Sequence, residues 1–131
     1  MSTDTTASVS THILDTSLGR PAEGVPVQLS ARSGAGEFVD LGGSATDADG
    51  RCKDLPALPV GTTHVRLDFA TETYFLTRND QQAEAQQDAP ANRDSGAFFP
   101  EVAITFAVVP GEHYHVPLLL NPFGYSVYRG S

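Results

Sequence analysis

The sequence predicts an all-β fold, an antiparallel sandwich. Three observations carry that prediction: apolar residues recur with a period of two, turn-forming residues fall between the periodic runs, and the runs are short. Val25, Val27 and Leu29 alternate with Pro26, Gln28 and Ser30, and Val65, Leu67 and Phe69 alternate with Arg66, Asp68 and Ala70. A third run is Val102, Ile104, Phe106 and Val108. Successive strand side chains leave opposite faces, so each run reads as a strand with one face on a core. Val9–Asp15, Phe38–Gly42, His113–Leu120 and Tyr125–Gly130 are the other expected strands.

Breakers separate them: Leu18-Gly19-Arg20-Pro21, Asp49-Gly50, Pro110-Gly111 and Asn121-Pro122-Phe123-Gly124. The stretch Arg78 to Gly96 departs from the pattern. It is polar and rich in Ala and Gln, and Asp80–Gln87 is expected to form one or two helical turns capped by Asn79 or Asp80 and stopped by Pro90. Residues 78–96 are otherwise expected to be a long surface insertion. Residues 1–8 read as a flexible tail and residues 9–131 as one domain.

A chain of 131 residues, 40% hydrophobic and 18% charged, has enough apolar material for one real core. Its formal net charge of −8, with only 8 Lys and Arg and no basic run, argues against nucleic acid or an anionic membrane as partner. An anionic ligand would need a local basic site. The single cysteine, Cys52, excludes an internal disulfide. No apolar stretch approaches the roughly 20 residues of a membrane helix, and Met1–Ser10 has neither the basic segment nor the apolar segment of a secretory signal. A cytoplasmic protein is the expectation.

Four histidines could carry chemistry: His12, His64, His113 and His115. His113 and His115 are two apart on an expected strand and share a face, and His12 lies within the first strand. His64 follows two threonines in no pattern and reads as structural. His113 and His115 would also suit a zinc ion, but a catalytic site needs a third ligand, which only a meeting with His12 would supply. Asp47-Ala48-Asp49-Gly50 starts like a calcium loop and fails where oxygen ligands are required, at Arg51 and at Leu58. It reads as a tight turn followed by an arginine whose planar fork suits an oxyanion or imide edge. No nucleophile elbow, Walker loop or dinucleotide fingerprint occurs.

Five stretches in order resemble the 5-hydroxyisourate hydrolases, the transthyretin-related proteins. They are Ser10-Thr11-His12-Ile13-Leu14-Asp15-Thr16 with Gly19-Arg20-Pro21-Ala22, Asp49-Gly50-Arg51-Cys52, Phe98-Phe99-Pro100-Glu101-Val102, His113 to Leu120, and Tyr125 to Ser131. The resemblance covers about residue 9 to the end, apart from the 78–96 segment. It implies a transthyretin-like sandwich of two four-stranded sheets and a homotetramer, a dimer of dimers, with active sites at the dimer–dimer interface. It implies His12, Arg51 and His115 as catalytic residues. It also implies that Tyr128, Arg129, Gly130 and Ser131 join His12 and Arg51 in binding substrate, with His113 a helper.

The implied reaction opens the ring of 5-hydroxyisourate in urate breakdown, with no metal and no organic cofactor. Water would attack a cyclic amide carbonyl, with a neutral His as general base, whose ordinary pKa near 6.5 suits the task. Either His12 or His115 would serve. Arg51 would stabilise developing oxyanion charge, and Tyr128 would orient ring or water. The alternatives are a transthyretin-like carrier of an aromatic small molecule and a zinc-binding β-sandwich built on His12, His113 and His115.

Overall fold

The computed structural model describes residues 6–85 and 96–130, with the backbone alone for residues 80–85. The strands are β1 (Ser8–Asp15), β2 (Arg20–Pro21), β3 (Pro26–Arg32), β4 (Val39–Ala45) and β5 (His64–Phe69). Helix α1 (Thr71–Ala85) follows, then β6 (Val102–Ala107), β7 (His113–Asn121) and β8 (Gly124–Val127). They form two four-stranded sheets, ordered β2-β1-β7-β8 and β4-β3-β5-β6. The expected sandwich is present.

The alternating runs make the core. Ile13 from β1, Val27 and Leu29 from β3, Val65, Leu67 and Phe69 from β5, and Leu118 and Leu120 from β7 are all buried. Burying a side chain of this size contributes about 1.5–3 kcal/mol, which is why the period-two positions dictate which face turns inward.

Three expectations need correction. The sandwich is not antiparallel throughout, because β1 and β7 run parallel from Ser8↔His113 to Asp15↔Leu120. A parallel neighbour cannot be reached by a hairpin; here the whole second sheet and α1 lie between the two strands. Second, Arg20–Pro21, expected as part of a breaker, forms β2 against Leu14 and Asp15. Gly19, at φ 69°, completes the turn that allows this.

Third, α1 is no short helix and starts at Thr71, nine residues ahead of Asp80. Thr71-Glu72-Thr73-Tyr74-Phe75 has strand-like propensity, and tertiary contacts override it. The Thr71 hydroxyl donates to the Phe99 carbonyl at 2.6 Å, and the Glu72 amide donates to the Pro100 carbonyl at 2.9 Å. Tyr74 and Phe75 are buried beneath the helix. Residues 86–95, which include Pro90 and most of the expected insertion, lie outside the described residues, as do residues 1–5. Ser8 already pairs in β1, and Ala7 is buried. No described helix is long and apolar enough to cross a membrane.

The helix is fastened by a carboxylate. Asp15, fully buried at the end of β1, accepts hydrogen bonds from the Tyr74 hydroxyl at 2.6 Å and from Arg78 Nη1 at 3.0 Å. Its other oxygen takes the Ser17 hydroxyl at 2.5 Å and the Ser17 amide at 3.0 Å. Burial alone would raise the Asp15 pKa, but the hydrogen bonds from Ser17, Tyr74 and Arg78 and the Arg78 charge hold it below its ordinary 3.8. A depressed carboxylate stabilises the fold above its ordinary pKa, and that contribution is lost as the pH falls through the lower folded-state value. Tyr74→Phe should cost about 1.5–3 kcal/mol, the range for hydrogen bonds to charged groups. Asp15→Ala, which strands the Arg78 charge, should cost about 3–5 kcal/mol. Urea unfolding at neutral pH checks both, and equal losses would show that Asp15 does no more than accept the tyrosine.

Candidate active site

The sheet containing β1 and β7 turns its outward face to the site. Along β1 the inward residues Thr11, Ile13 and Asp15 are buried, which leaves Ser8, Ser10 and His12 on the other face. Along β7 the same alternation places His113 and His115 outward of buried Tyr114 and Val116. The parallel register sets Ser10 beside His115 and His12 beside Pro117. The His12 and His115 rings are neighbours, with centroids 6.5 Å apart and planes tilted by 32°.

Arg51 is delivered to His12 by the expected tight turn. The Gly50 amide donates to the Asp47 carbonyl, and the Asp47 amide to the Arg51 carbonyl, each at 2.9 Å. Asp47 Oδ1 accepts the Asp49 and Arg51 amides at 2.9 Å and 3.1 Å and so caps the loop. The Ile13 amide then donates to the Gly50 carbonyl at 2.8 Å, and Arg51 pairs with His12 in an isolated bridge. Gly50 has φ 79°, and a Cβ there would stand 2.4 Å from the Ile13 carbonyl oxygen. Only glycine allows the loop this close to β1.

A second isolated bridge brings in the far end of the chain. The Gly130 amide donates to the His115 carbonyl at 2.7 Å. A Cβ on Gly130 would lie 2.9 Å from His115 Cδ2, so this glycine sits against the imidazole edge. His115↔Gly130 and Leu118↔Val127 share one register, which sets Tyr128 across from Pro117. Tyr128 is 56% exposed.

Arg129 does not join the histidines. Its guanidinium lies 4.5 Å over the Tyr114 ring and 3.9 Å from Glu112, beside a small apolar cavity lined by Phe106, Tyr114 and Val127. Ser131 lies outside the described residues. His64, on the other sheet, bonds to the Thr63 hydroxyl at 2.8 Å, in keeping with a structural role.

His115 and Arg51 thus share one cleft with Ser10, Lys53 and Leu55. Burial lowers the His115 pKa from its ordinary 6.5, and the charge of Arg51, then His12 and His113, lower it further. The shift favours the neutral ring. Cys52 lines the same cleft, but burial pushes its thiol up to about 11, so it is no thiolate nucleophile. Among the described residues, no three of His, Cys, Asp and Glu cluster as a metal site would require. That leaves the zinc alternative without its ligand set.

Sequence reasoning missed Ser8, Ser10 and Lys53. Ser10 lies two residues before His12 in the expected strand, so its even spacing was a signal that could have found it, whereas Ser8 fell in the expected tail. Nothing in the pattern marked Lys53.

Similarity to known proteins agrees with this geometry. The HIUase/Transthyretin family profile matches residues 9–130. The chain belongs to that family. A 5-hydroxyisourate hydrolase of Caulobacter vibrioides is 39% identical, over 94% of this chain and 97% of its own length. A uric acid degradation bifunctional protein of Arabidopsis thaliana is also 39% identical over 94% of the chain, which spans only 37% of that longer protein. Among solved structures, the 5-hydroxyisourate hydrolase of Klebsiella pneumoniae superposes with a TM-score of 0.67 at 35% identity. The match covers 95% of this chain and 94% of that one.

The two turn glycines offer a controlled test of the close approach. Gly19 and Gly50 both have positive φ, but a Cβ at Gly19 meets nothing within 4 Å. Both alanine variants carry backbone strain of about 1–3 kcal/mol, and Gly50→Ala adds a backbone clash. Urea denaturation should show Gly50→Ala as clearly the less stable. Equal losses would mean the loop does not need its contact with β1.

Proposed function

We infer that this protein hydrolyses 5-hydroxyisourate in urate degradation, by attack of water on a cyclic amide carbonyl. The observation that carries the reading is the convergence of His12, Arg51, His115 and Gly130 on one face by two isolated bridges. Its relatives named 5-hydroxyisourate hydrolase support the substrate.

His115 is the general base. It is held neutral by burial and by the neighbouring cation, and a positioned base contributes on the order of 10²–10⁴-fold. The base takes a proton from water as the oxygen attacks the carbonyl carbon. Arg51 then meets the oxyanion, which gains charge only in the transition state. Afterwards the protonated imidazole returns its proton to the ring nitrogen whose bond to carbon breaks. His12, 6.5 Å from His115 between ring centroids, holds the substrate from the other side. Tyr128 presents a ring to pack on the planar substrate. Arg51 gives an anionic substrate a local attraction within a chain of net charge −8. Neither a metal nor an organic cofactor enters this scheme.

The same reading makes the protein a cytoplasmic homotetramer, a dimer of dimers, with Tyr128 to Ser131 completing the site at the dimer–dimer interface. The exposed Tyr128 beside the His115 face supports this arrangement. The carrier alternative is less favoured, because a carrier of an aromatic molecule has no use for a neutral imidazole beside a cation.

The direct test generates 5-hydroxyisourate in place from urate and urate oxidase and follows its decay spectroscopically. Purified protein should accelerate that decay; decay at the spontaneous rate would overturn the reading. Arg51→Glu should lower kcat/KM by 10²-fold or more, on the order seen for loss of an oxyanion donor, with an unchanged circular dichroism spectrum. The acid limb of kcat/KM should lie below 6.5, since burial and then the Arg51 charge lower the His115 pKa. In Arg51→Gln the limb should move up toward that ordinary value. A limb that stays in place would remove His115 as the base.

A further inference from the structure

Beside the cleft, two serines and two histidines form one hydrogen-bonded row. Ser8 Oγ lies 2.6 Å from His113 Nδ1. His113 Nε2 lies 2.9 Å from Ser10 Oγ, and Ser10 Oγ lies 2.8 Å from His115 Nδ1. The parallel register builds the row, since Ser8 stands beside His113 and Ser10 beside His115. Ser10 therefore touches both rings.

A hydroxyl has one proton to donate. Ser10 cannot donate to both histidines, so when its proton is used within the row it donates to one and accepts from the other, and the two rings then share a tautomer. With the proton of His115 on Nδ1, that N–H donates to Ser10, Ser10 donates to His113 Nε2, and the His113 Nδ1–H donates to Ser8. With Ser10 donating to His115 instead, every bond reverses and both rings carry their proton on Nε2. A mixed pair either sets two acceptors against one proton or leaves the Ser10 hydroxyl without a third partner among the described residues.

The surroundings of His115 select between the two directions. Nδ1 is tied to Ser10, so Nε2 is the nitrogen left for the cleft, where Arg51 and Lys53 also lie. Lys53 is paired with Asp47 at 3.4 Å, and the Arg51 cation favours a lone pair there over another N–H. We propose that Ser10 is a positioning residue which, with His113 as its acceptor, holds His115 as the Nδ1–H tautomer and so presents an unprotonated Nε2 to the substrate. The base role rests on the hydrolase reading above, whereas the tautomer and its coupling to His113 do not.

Ring nitrogen signals from protein labelled with ¹⁵N-histidine test this, at a pH where both rings are neutral. In the wild type, His113 and His115 should both be Nδ1–H. Ser10→Ala should uncouple them and shift His115 toward Nε2–H, the form free histidine prefers. kcat should drop roughly 10- to 100-fold, the usual cost of losing a functional histidine's orienting partner, with a smaller change in KM. Ser10→Thr keeps the hydroxyl and should restore both tautomer and kcat. His113→Ala takes away the acceptor, freeing Ser10 to donate to His115, and should itself produce Nε2–H at His115. Both rings found as Nε2–H in the wild type, or an unchanged His115 tautomer in Ser10→Ala, would overturn the proposal. Should the wild type fail to accelerate 5-hydroxyisourate decay, the hydrolase reading falls, and the ring signals still decide the wiring.

Discussion

Everything in this molecule depends on the parallel pairing of β1 with β7. It runs from Ser8↔His113 to Asp15↔Leu120 without a shift in register. A slip of one residue would turn the histidines into the core and the apolar residues out. The constraint is enforced by burial: Ile13, Leu118 and Leu120 admit only this alternation. Because the second sheet and α1 lie between these strands in sequence, the row of Ser8, Ser10, His113 and His115 exists only once the chain has closed on itself. Such non-local pairing delays loop-closure gains until late in folding.

A single strand serves two purposes through its two faces. The inward residue Asp15 fastens α1 through Tyr74 and Arg78, and the outward residue His12 faces His115. Both uses share the backbone between them, where the Ile13 amide also donates to the Gly50 carbonyl. The helix anchor, the Arg51 loop and the histidine face therefore meet within four residues of β1 (Asp15, Ile13 and His12 among them), and rigidity in one is rigidity in all. That suits a site whose groups must be held in place rather than recruited by motion.

How much of this could be read in the sequence depended on the range of each interaction. The strands around Val25–Leu29, Val65–Phe69 and Val102–Phe106 were legible because period-two burial is local. The Asp49-Gly50 turn was legible for the same reason. The parallel partnership of β1 and β7 was not, since no turn residue signals a strand pair that distant in sequence. Helix α1 was misplaced because its start is set by the Phe99 and Pro100 carbonyls, which reach Thr71 and Glu72 only in the folded chain. His12, Arg51 and His115, which the fold makes neighbours, were singled out through family resemblance, whereas the contacts of Ser10 with both rings were not. Arg129, expected at the substrate, lies within the single chain over the Tyr114 ring and 3.9 Å from Glu112, contacts that no sequence pattern announces.

A sandwich of this kind does not by itself choose between holding a small molecule and hydrolysing one, because function resides in the site grafted on the fold. The choice turns on electrostatics. Setting Arg51 and His115 in one cleft works against binding an apolar ligand, since desolvating a charged group is costly. The same arrangement is useful when charge of the opposite sign develops during reaction. In the proposed reaction, burial and the Arg51 cation, which lower the His115 pKa, keep a lone pair available at neutral pH, and the same cation would meet the oxyanion formed when that lone pair is used. One residue thus prepares the base and stabilises the product of its action, which a hydrolase requires and a carrier does not.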